Sequence, residues 1–214
     1  MHEPGSFEAA SDALIQFGQA VLREQLSTST CGNVSVRLDA NRFVMSASGA
    51  AVGCLALDTL VIVALRDGVR LAGPKPSIEA ELHRRAYLAR PHVGAVLHSQ
   101  SPYATLLACA ENPPDDLDFI PEIPMYVRRF AQVPYAAPGS LALAESVTAA
   151  FADPEVTVVQ MRNHGQVILG ATWQDVVRRG VFFERACWMA QQPRPLALIP
   201  PEESAELRLK ARDI

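Results

Sequence analysis

The 214-residue sequence lacks the features typical of membrane, secreted or nucleic-acid-binding proteins. No apolar run approaches the roughly 20 residues that a membrane-spanning helix needs. The first residues, MHEPGSFEAASDALIQFG, are acidic and interrupted by Pro4 and Gly5, so we expect no secretory signal there. Lys and Arg total 19 against 23 Asp and Glu, without a basic cluster, which disfavours nucleic acid as a partner.

Paired cysteines, linkers and repeats are also absent. The four cysteines form no CxxC motif and lie in apolar surroundings, so we expect reduced thiols in the core of a cytoplasmic protein. The length fits one large domain. We therefore predict one domain over residues 1–214, with its core at about 7–192 and a tail at 193–214 that ends in a short helix.

Helical and strand patterns follow one another along the chain. Apolar residues recur at helical spacing in 7–25 and again after Thr172, which suits a helix N-cap. Ser77 is the expected N-cap of another helix that runs to about residue 90. Further helices are expected at 102–110 and 141–152, and strands at 33–38, 42–46, 60–65, 95–98, 156–161 and 167–170. This order predicts an α/β domain layered around a mostly antiparallel sheet.

Few residues of this pattern carry obvious chemistry. Glu79 and His83 are four apart and share the inward face of their predicted helix, although a first-turn Glu is commonly just stabilised by the helix dipole. His98 ends an apolar strand, and His164 lies in a turn between two strands, where Asn163 and Gly165 suit left-handed backbone. Each histidine alone is more often a structural residue than a metal ligand.

Six segments taken in order give the decisive likeness. They are GNVSVR, SASG, KPSIEAELHRRAY, AVLHSQSPYATLLAC, VPYAAPGS and NHGQVILG. Together they resemble the class II aldolase/adducin family over about residues 10–190. The resemblance implies a three-layer αβα domain with a central, mostly antiparallel sheet. It also implies a small-molecule substrate and a homotetramer with active sites at subunit contacts.

The resemblance assigns roles to particular residues. His98 matches the first metal ligand of the family and His164 the third, whereas Gln100 stands where the family has a second histidine. Glu79 matches the acid/base carboxylate. The positions that hold the substrate's phosphate or carboxylate are matched by Asn33, Ser48, Gly49 and Ser77. Ile78 departs from the second polar side chain that the sugar-phosphate aldolases have at its place.

The family's cofactor is a divalent metal cation, and Zn²⁺ is the expected one. An amide oxygen from Gln100 would weaken a zinc site, because Zn²⁺ prefers nitrogen and sulfur, and would suit Mn²⁺ or Mg²⁺ better. Co²⁺ is a further candidate. His83 either substitutes as a ligand or packs as a structural histidine beside Tyr87.

Two functions follow from the resemblance. The first is a metal-dependent lyase that cleaves a C–C bond of a small hydroxy-carbonyl, sugar-acid or sugar-phosphate substrate by retro-aldol reaction or decarboxylation. A metal-stabilised enolate would form, with Glu79 as acid/base. The second is a catalytically inactive, adducin-like interaction domain, which the departures at Gln100 and Ile78 favour. Retention of Glu79, His98 and His164 favours the enzyme.

Overall fold

The computed structural model describes residues 6–211. The N-terminal residues 1–5 and the last three, 212–214, lie outside it, so part of the stretch expected to carry no secretory signal and the end of the predicted tail are not described. The helices are α1 Phe7–Arg23, α2 Ala80–Ala89, α3 Pro102–Ala108, α4 Leu141–Ala150, α5 Trp173–Ala190 and α6 Pro201–Lys210. The strands are β1 Asn33–Arg37, β2 Arg42–Ser46, β3 Leu60–Ala64, β4 Arg70–Ala72, β5 Ala95–Ser99, β6 Arg129–Val133, β7 Val156–Met161 and β8 Gly165–Gly170.

The eight strands form one continuous sheet in the order β4-β3-β2-β1-β5-β8-β7-β6. Every neighbouring pair is antiparallel except β6 and β7, which run parallel. Short turns connect β1 to β2 and β7 to β8, as antiparallel neighbours allow. The predicted α/β fold with a mostly antiparallel sheet is confirmed.

Helices cover both faces of the sheet, because successive side chains of each strand point to opposite faces. On β5, Leu97 packs with the apolar residues of α1, α3 and α5. Its neighbour Val96 packs on the other face with those of α2 and α4. Both residues are fully buried, so the sheet has a core on each side and the predicted three-layer arrangement is confirmed.

Several sequence-based boundaries need correction. Ser77 is not the N-cap of α2, because the helix begins at Ala80 and Glu79 is the cap residue. The Ser77 hydroxyl instead accepts a hydrogen bond from the Glu79 amide at 3.3 Å. Asn163 has the expected left-handed backbone (φ 53°), whereas Gly165 already belongs to β8. Strands β4 and β6 were not predicted, and α6 supplies the short helix expected in the tail.

The cysteines are free, as predicted, but their expected burial is wrong for two of them. Cys187 is buried in the core, whereas Cys54 and Cys109 are exposed. Cys54 ends a short 3₁₀ turn, Val52–Cys54, and Cys109 caps the C-terminal end of α3. Apolar neighbours in sequence therefore do not imply burial at the ends of such short elements. None of the described helices is both long and apolar enough to span a bilayer.

Candidate functional site

Three side chains with metal-binding chemistry meet at one end of the sheet. His98 lies near the end of β5, His164 in the turn between β7 and β8, and Glu79 at the N-cap of α2. Within residues 6–211, each of these side chains offers one possible ligand atom, and these atoms lie within 4.8 Å of one another. The two histidine rings therefore converge on Glu79, and their role as metal ligands stays a prediction.

Local backbone geometry brings these residues together. Asn33, the first residue of β1, lies opposite His98 in the sheet, and Gly32 precedes it with φ +82°. A Cβ on Gly32 would approach Ser99 Cα to 3.2 Å. Glycine is therefore favoured here both by the positive φ and by the lack of space for a side chain. The left-handed Asn163 closes the turn that presents His164 beside this pair.

The three side chains are buried and face one another. His98 Nε2 lies 3.2 Å from Glu79 Oε2, and His164 Nε2 lies 3.6 Å from Glu79 Oε1. Their side chains are only 1%, 7% and 6% exposed for His98, His164 and Glu79. A carboxylate buried to this degree needs a cation or several hydrogen-bond donors to offset its desolvation.

Hydrogen bonding at His98 supports a cation between these groups. The ring nitrogen Nδ1 donates to the backbone carbonyl of Gln166 at 3.1 Å, so in the neutral ring Nε2 carries the lone pair. That lone pair faces the Glu79 carboxylate, and two acceptors only 3.2 Å apart require a proton or metal ion between them. Histidines that bind metals characteristically donate their other N–H to such a carbonyl.

The remaining polar atoms of the cluster also suit a divalent cation. Burial, with a smaller contribution from neighbouring His98, lowers the pKa of His164, while the Glu79 charge partly opposes this shift. Neutral imidazole is the form that binds metals. Glu79 Oε1 and His164 Nδ1 are buried without a hydrogen-bond partner among the described residues. One carboxylate and two imidazoles therefore fit a divalent metal, although they do not single out one element.

The loop after β2 is joined to the segment that leads to Glu79. Ser48 and Gly49 are both exposed, and Gly49 has φ +76° with open space on the side where a Cβ would stand. The Ser48 amide donates to the Lys75 carbonyl at 2.9 Å, which ties this loop to the segment leading into α2. A backbone of this kind can approach a substrate anion closely, and the predicted role of both residues stays a prediction.

Ser77, Ile78 and Asn33 surround Glu79 more closely. Ser77 is 9% exposed, and Asn33, 5% exposed, donates from Nδ2 to Glu79 Oε2 at 3.0 Å. Ile78 is 59% exposed and packs against Gly139, so the position that departs from the family is at the surface of the site. Of the predicted anion-binding residues, Asn33 and Ser77 thus lie next to Glu79, and the contact of all four with substrate stays a prediction.

Gln100 follows the last residue of β5 and is half-buried. A Cβ built on Gly165 would lie 3.0 Å from Gln100 Cγ, so this side chain passes beside the residue that follows His164. Its amide makes no hydrogen bond to any other residue in the range 6–211. The prediction that its oxygen lies at the metal position is compatible with this place and remains untested.

His83 does not belong to the metal-binding group. It is completely buried and contacts the side chains of Ser35 and Asn33. Burial, followed by the charge of His98, lowers the pKa of His83 to about 3, so the ring is neutral at physiological pH. Of the two roles open from the sequence, the structure favours the structural histidine.

Sequence reasoning missed a polar network on the face of the sheet opposite to that of the His98 side chain. The Gln166 amide donates to the hydroxyls of Ser99 and Ser101 at 2.9 and 2.6 Å, and Ser101 donates to Glu184 at 2.6 Å. This network anchors the strand whose carbonyl holds His98. A signal was present, because Gln166 is a lone polar residue in an apolar strand, and such a buried amide must find partners.

Comparisons with known proteins agree with this geometry. The family of the Class II Aldolase and Adducin N-terminal domain matches residues 12–191. The 3-oxo-tetronate 4-phosphate decarboxylase of Haemophilus influenzae is 31% identical over 170 residues, which are 78% of this chain and 80% of the relative. An L-fuculose phosphate aldolase of Methanococcus maripaludis is 32% identical over 139 residues, 65% of this chain and 72% of the relative.

Solved structures give the same likeness in three dimensions. The crystal structure of YgbL from Klebsiella pneumoniae superimposes with a TM-score of 0.85 at 27% sequence identity. The superposition covers 94% of this chain and 98% of YgbL. The αβα arrangement is therefore shared with a relative of nearly the same extent.

Proposed function

Because the chain belongs to the class II aldolase and adducin family, we propose that it is a lyase that breaks a C–C bond beside a carbonyl group. The preferred reaction is decarboxylation of a 3-oxo sugar acid phosphate, the substrate class named for the Haemophilus influenzae relative. Retro-aldol cleavage, named for the Methanococcus maripaludis relative, is the alternative.

The observation that carries this proposal is the buried meeting of Glu79, His98 and His164. An interaction domain has no need for a desolvated carboxylate that faces two imidazoles. Burial of this kind lowers stability unless a cation or a ligand compensates it, which is the usual mark of a functional site. The inactive, adducin-like alternative is for this reason not favoured.

Glu79 is the proposed acid/base. Its Oε2 accepts a hydrogen bond from Asn33, whereas Oε1 has no hydrogen-bond partner within residues 6–211 and is free to exchange a proton with substrate. In decarboxylation, the electrons of the broken C–C bond pass to the carbonyl oxygen as CO₂ leaves. Glu79, protonated on Oε1, then delivers this proton to the carbon that lost CO₂ and regains one from solvent. In retro-aldol cleavage, Glu79 instead accepts the proton of the substrate hydroxyl as the C–C bond breaks and returns it to the enolate carbon.

The metal ligands would be His98 and His164, with Gln100 as a further, weaker ligand. A divalent cation bound there supplies positive charge against the substrate's carbonyl oxygen, and Zn²⁺ is the proposed metal, with Mn²⁺, Co²⁺ or Mg²⁺ as alternatives. The chain's own contribution is to lower the pKa of His164 by burial and to fix the ring of His98 through the carbonyl of Gln166.

Substrate anion binding is proposed for Ser48, Gly49, Ser77 and Asn33. The first two offer an exposed loop with space for an anion, and the others line the buried side next to Glu79. We further propose one domain over residues 1–214, a cytoplasmic location and a homotetramer with active sites at subunit contacts.

The test is a substrate screen with two readouts. Purified protein loaded with Zn²⁺ or Mn²⁺ is given 3-oxo sugar acid phosphates, and CO₂ release is measured, while L-fuculose phosphate is tested in parallel for aldehyde release. CO₂ release that is lost in Glu79→Gln supports the decarboxylase, and aldehyde release supports the aldolase. Absence of both products from a metal-loaded, folded protein contradicts the proposed lyase.

A further inference from the structure

A buried chain of hydrogen bonds runs behind Glu79, away from the two metal-binding imidazoles. The side chains of Glu79 and Asn33 are joined at 3.0 Å, and those of Asn33 and His83 at 2.6 Å. Ser35 then lies 2.7 Å from His83 Nδ1 and 2.8 Å from the hydroxyl of Tyr87. All five residues are at most 5% exposed, so no solvent competes for these contacts.

The direction of each hydrogen bond in this chain follows from its neighbour. A carboxylate only accepts, so the Asn33 amide must present Nδ2 to Glu79 and its oxygen Oδ1 to His83. Oδ1 only accepts as well, so Nε2 of His83 carries the proton. Since burial keeps this ring neutral, Nδ1 accepts from the Ser35 hydroxyl, and Ser35 in turn accepts from Tyr87.

Sequence spacing explains why these residues can form one chain. Asn33 and Ser35 are two apart on β1, so both point to the same face of the sheet. His83 and Tyr87 are four apart on α2, so they lie one helical turn apart on the face packed against that sheet. The strand and the helix therefore interlock through alternating polar side chains in an otherwise apolar core.

We infer that His83 is a positioning residue that acts on Glu79 through Asn33. By donating to Oδ1, His83 fixes the orientation of the Asn33 amide, so that Nδ2 holds Glu79 Oε2 and Oε1 is left open towards His164. The inference deepens the proposed function and rests on it only for the role of Glu79 in turnover. Without His83, Asn33 could turn its oxygen towards the carboxylate, and two acceptors would repel each other.

A direct role for His83 in binding or chemistry is excluded by its place. The ring has no exposed surface, and both of its nitrogens are already engaged by Asn33 and Ser35. It also lies outside the group formed by Glu79, His98 and His164. Partners of this kind, one step removed from the reacting groups, typically change metal affinity or activity by 10–100-fold when lost.

The first experiment reads the tautomer of His83 in the metal-free protein. Histidine is labelled with ¹⁵N, the His83 signals are assigned with the His83→Gln variant, and long-range ¹H–¹⁵N spectra are recorded at pH 7. A protonated Nε2 and an unprotonated Nδ1 are expected. The opposite tautomer, or a doubly protonated ring, overturns the inference without reference to any enzymatic activity.

The second experiment is a double-mutant cycle on Zn²⁺ affinity and on turnover. His83→Phe keeps a buried ring but removes the donor, and we expect roughly tenfold weaker binding and slower turnover. His83→Gln retains an N–H for Asn33 and should recover most of the loss. The double variant with Asn33→Ala should be no worse than Asn33→Ala alone. Independent, additive losses overturn the inference.

The matched control is His92→Gln, which changes an exposed histidine and should leave Zn²⁺ affinity unchanged. If no substrate is turned over, the proposed function fails, while the tautomer and the Zn²⁺ cycle still decide the inference about His83. If His83→Phe does not fold, the tautomer of the unaltered chain decides it.

Discussion

The two oxygens of Glu79, and the two imidazoles beside them, have different surroundings. Glu79 has one oxygen held by Asn33 and near His98, and a second one that faces His164 without a hydrogen bond from any described residue. An acid/base needs such an asymmetry, because one oxygen must be fixed while the other exchanges a proton. The two imidazoles differ too, since only His98 has its Nδ1 proton anchored.

Replacement of Glu79 by glutamine should abolish turnover while the fold remains. The amide has nearly the same shape but cannot accept or deliver the proton, and loss of a general acid/base typically costs about 10²–10⁴-fold in rate. The measurement is kcat on the substrate found in the screen, together with circular dichroism. Full activity in the Glu79→Gln variant would mean that another group carries the proton.

Replacement of Gln100 by histidine tests whether this side chain faces the metal. Gln100 lies beside the residue after His164, so an imidazole there should add a nitrogen ligand and tighten Zn²⁺ binding. Calorimetric titration of both proteins measures the change. Unchanged affinity would show that Gln100 points elsewhere, whereas tighter binding with lower turnover would make glutamine a part of the native mechanism.

His83 should make the protein less stable in mild acid. Its pKa is about 3 in the folded chain and near 6.5 in an unfolded one, so between these values the unfolded state holds more protons. Acidification therefore favours unfolding, and stability falls by up to about 1.4 kcal/mol per pH unit for this residue. Urea denaturation of metal-free protein between pH 7 and pH 5 should give a shallower pH dependence for His83→Gln.

The control for this experiment is His92→Gln. His92 is exposed, whereas His83 is completely buried. Burial therefore lowers the pKa of His92 less than that of His83, so removal of His92 should change the pH dependence only slightly. Protein concentration must be held constant, because self-association would add its own contribution to the unfolding free energy. Equal slopes for His83→Gln and the unaltered chain would contradict the assigned neutral state of His83.

At the scale of helices and strands, the sequence predicted those elements whose pattern lies within their own residues. Thr172 and Asp175 form the reciprocal capping box that starts α5, and the apolar stripe of α1 is regular. Strand β6 has no such signal, because it is only partly buried and exists through its parallel pairing with β7. The cap of α2 was misjudged because Ser77 has the better local propensity, whereas tertiary contacts with Asn33 hold Glu79 there.

The same limit applies to the site. Residue identity and resemblance supplied Glu79, His98 and His164, since each stands in a recognisable segment. They could not supply the partners that come from distant elements, such as the Gln166 carbonyl and the network behind it. Those contacts depend on which distant strands pair with one another. Local patterns in a single sequence do not reveal that pairing.

The Glu184 carboxylate should stabilise α3 from another helix. It accepts hydrogen bonds from the Ser101 hydroxyl and from the amides of Tyr103 and Ala104, which are the unpaired donors of the first turn of α3. Glu184→Ala should lower the unfolding free energy by about 2–4 kcal/mol. Urea denaturation measures it, and the exposed neighbour Arg185→Ala, expected within about 0.5 kcal/mol, is the control. Equal stability of the two variants would remove this role.

For the whole molecule, the sheet explains why one end carries the chemistry. The chain crosses between the α2 and α4 layer and the α1, α3 and α5 layer at the strand ends, and there the polar backbone of turns and caps is gathered. The β7–β8 turn, the end of β5 and the N-cap of α2 all open to the same side. Side chains on such turns and loops can vary more freely than those of the buried strands, which lets one fold serve several reactions.

Self-association is the last prediction, and it belongs to the whole molecule. Tyr103, Leu106 and Trp188 are 42%, 59% and 44% exposed, which is costly for large apolar side chains that face only water. We expect sedimentation velocity to find a species of four times the 23.2 kDa chain. Because the proposed active sites lie at subunit contacts, dilution that dissociates this species should lower turnover per chain in parallel. A monomer with undiminished turnover would show that each site is complete within one chain.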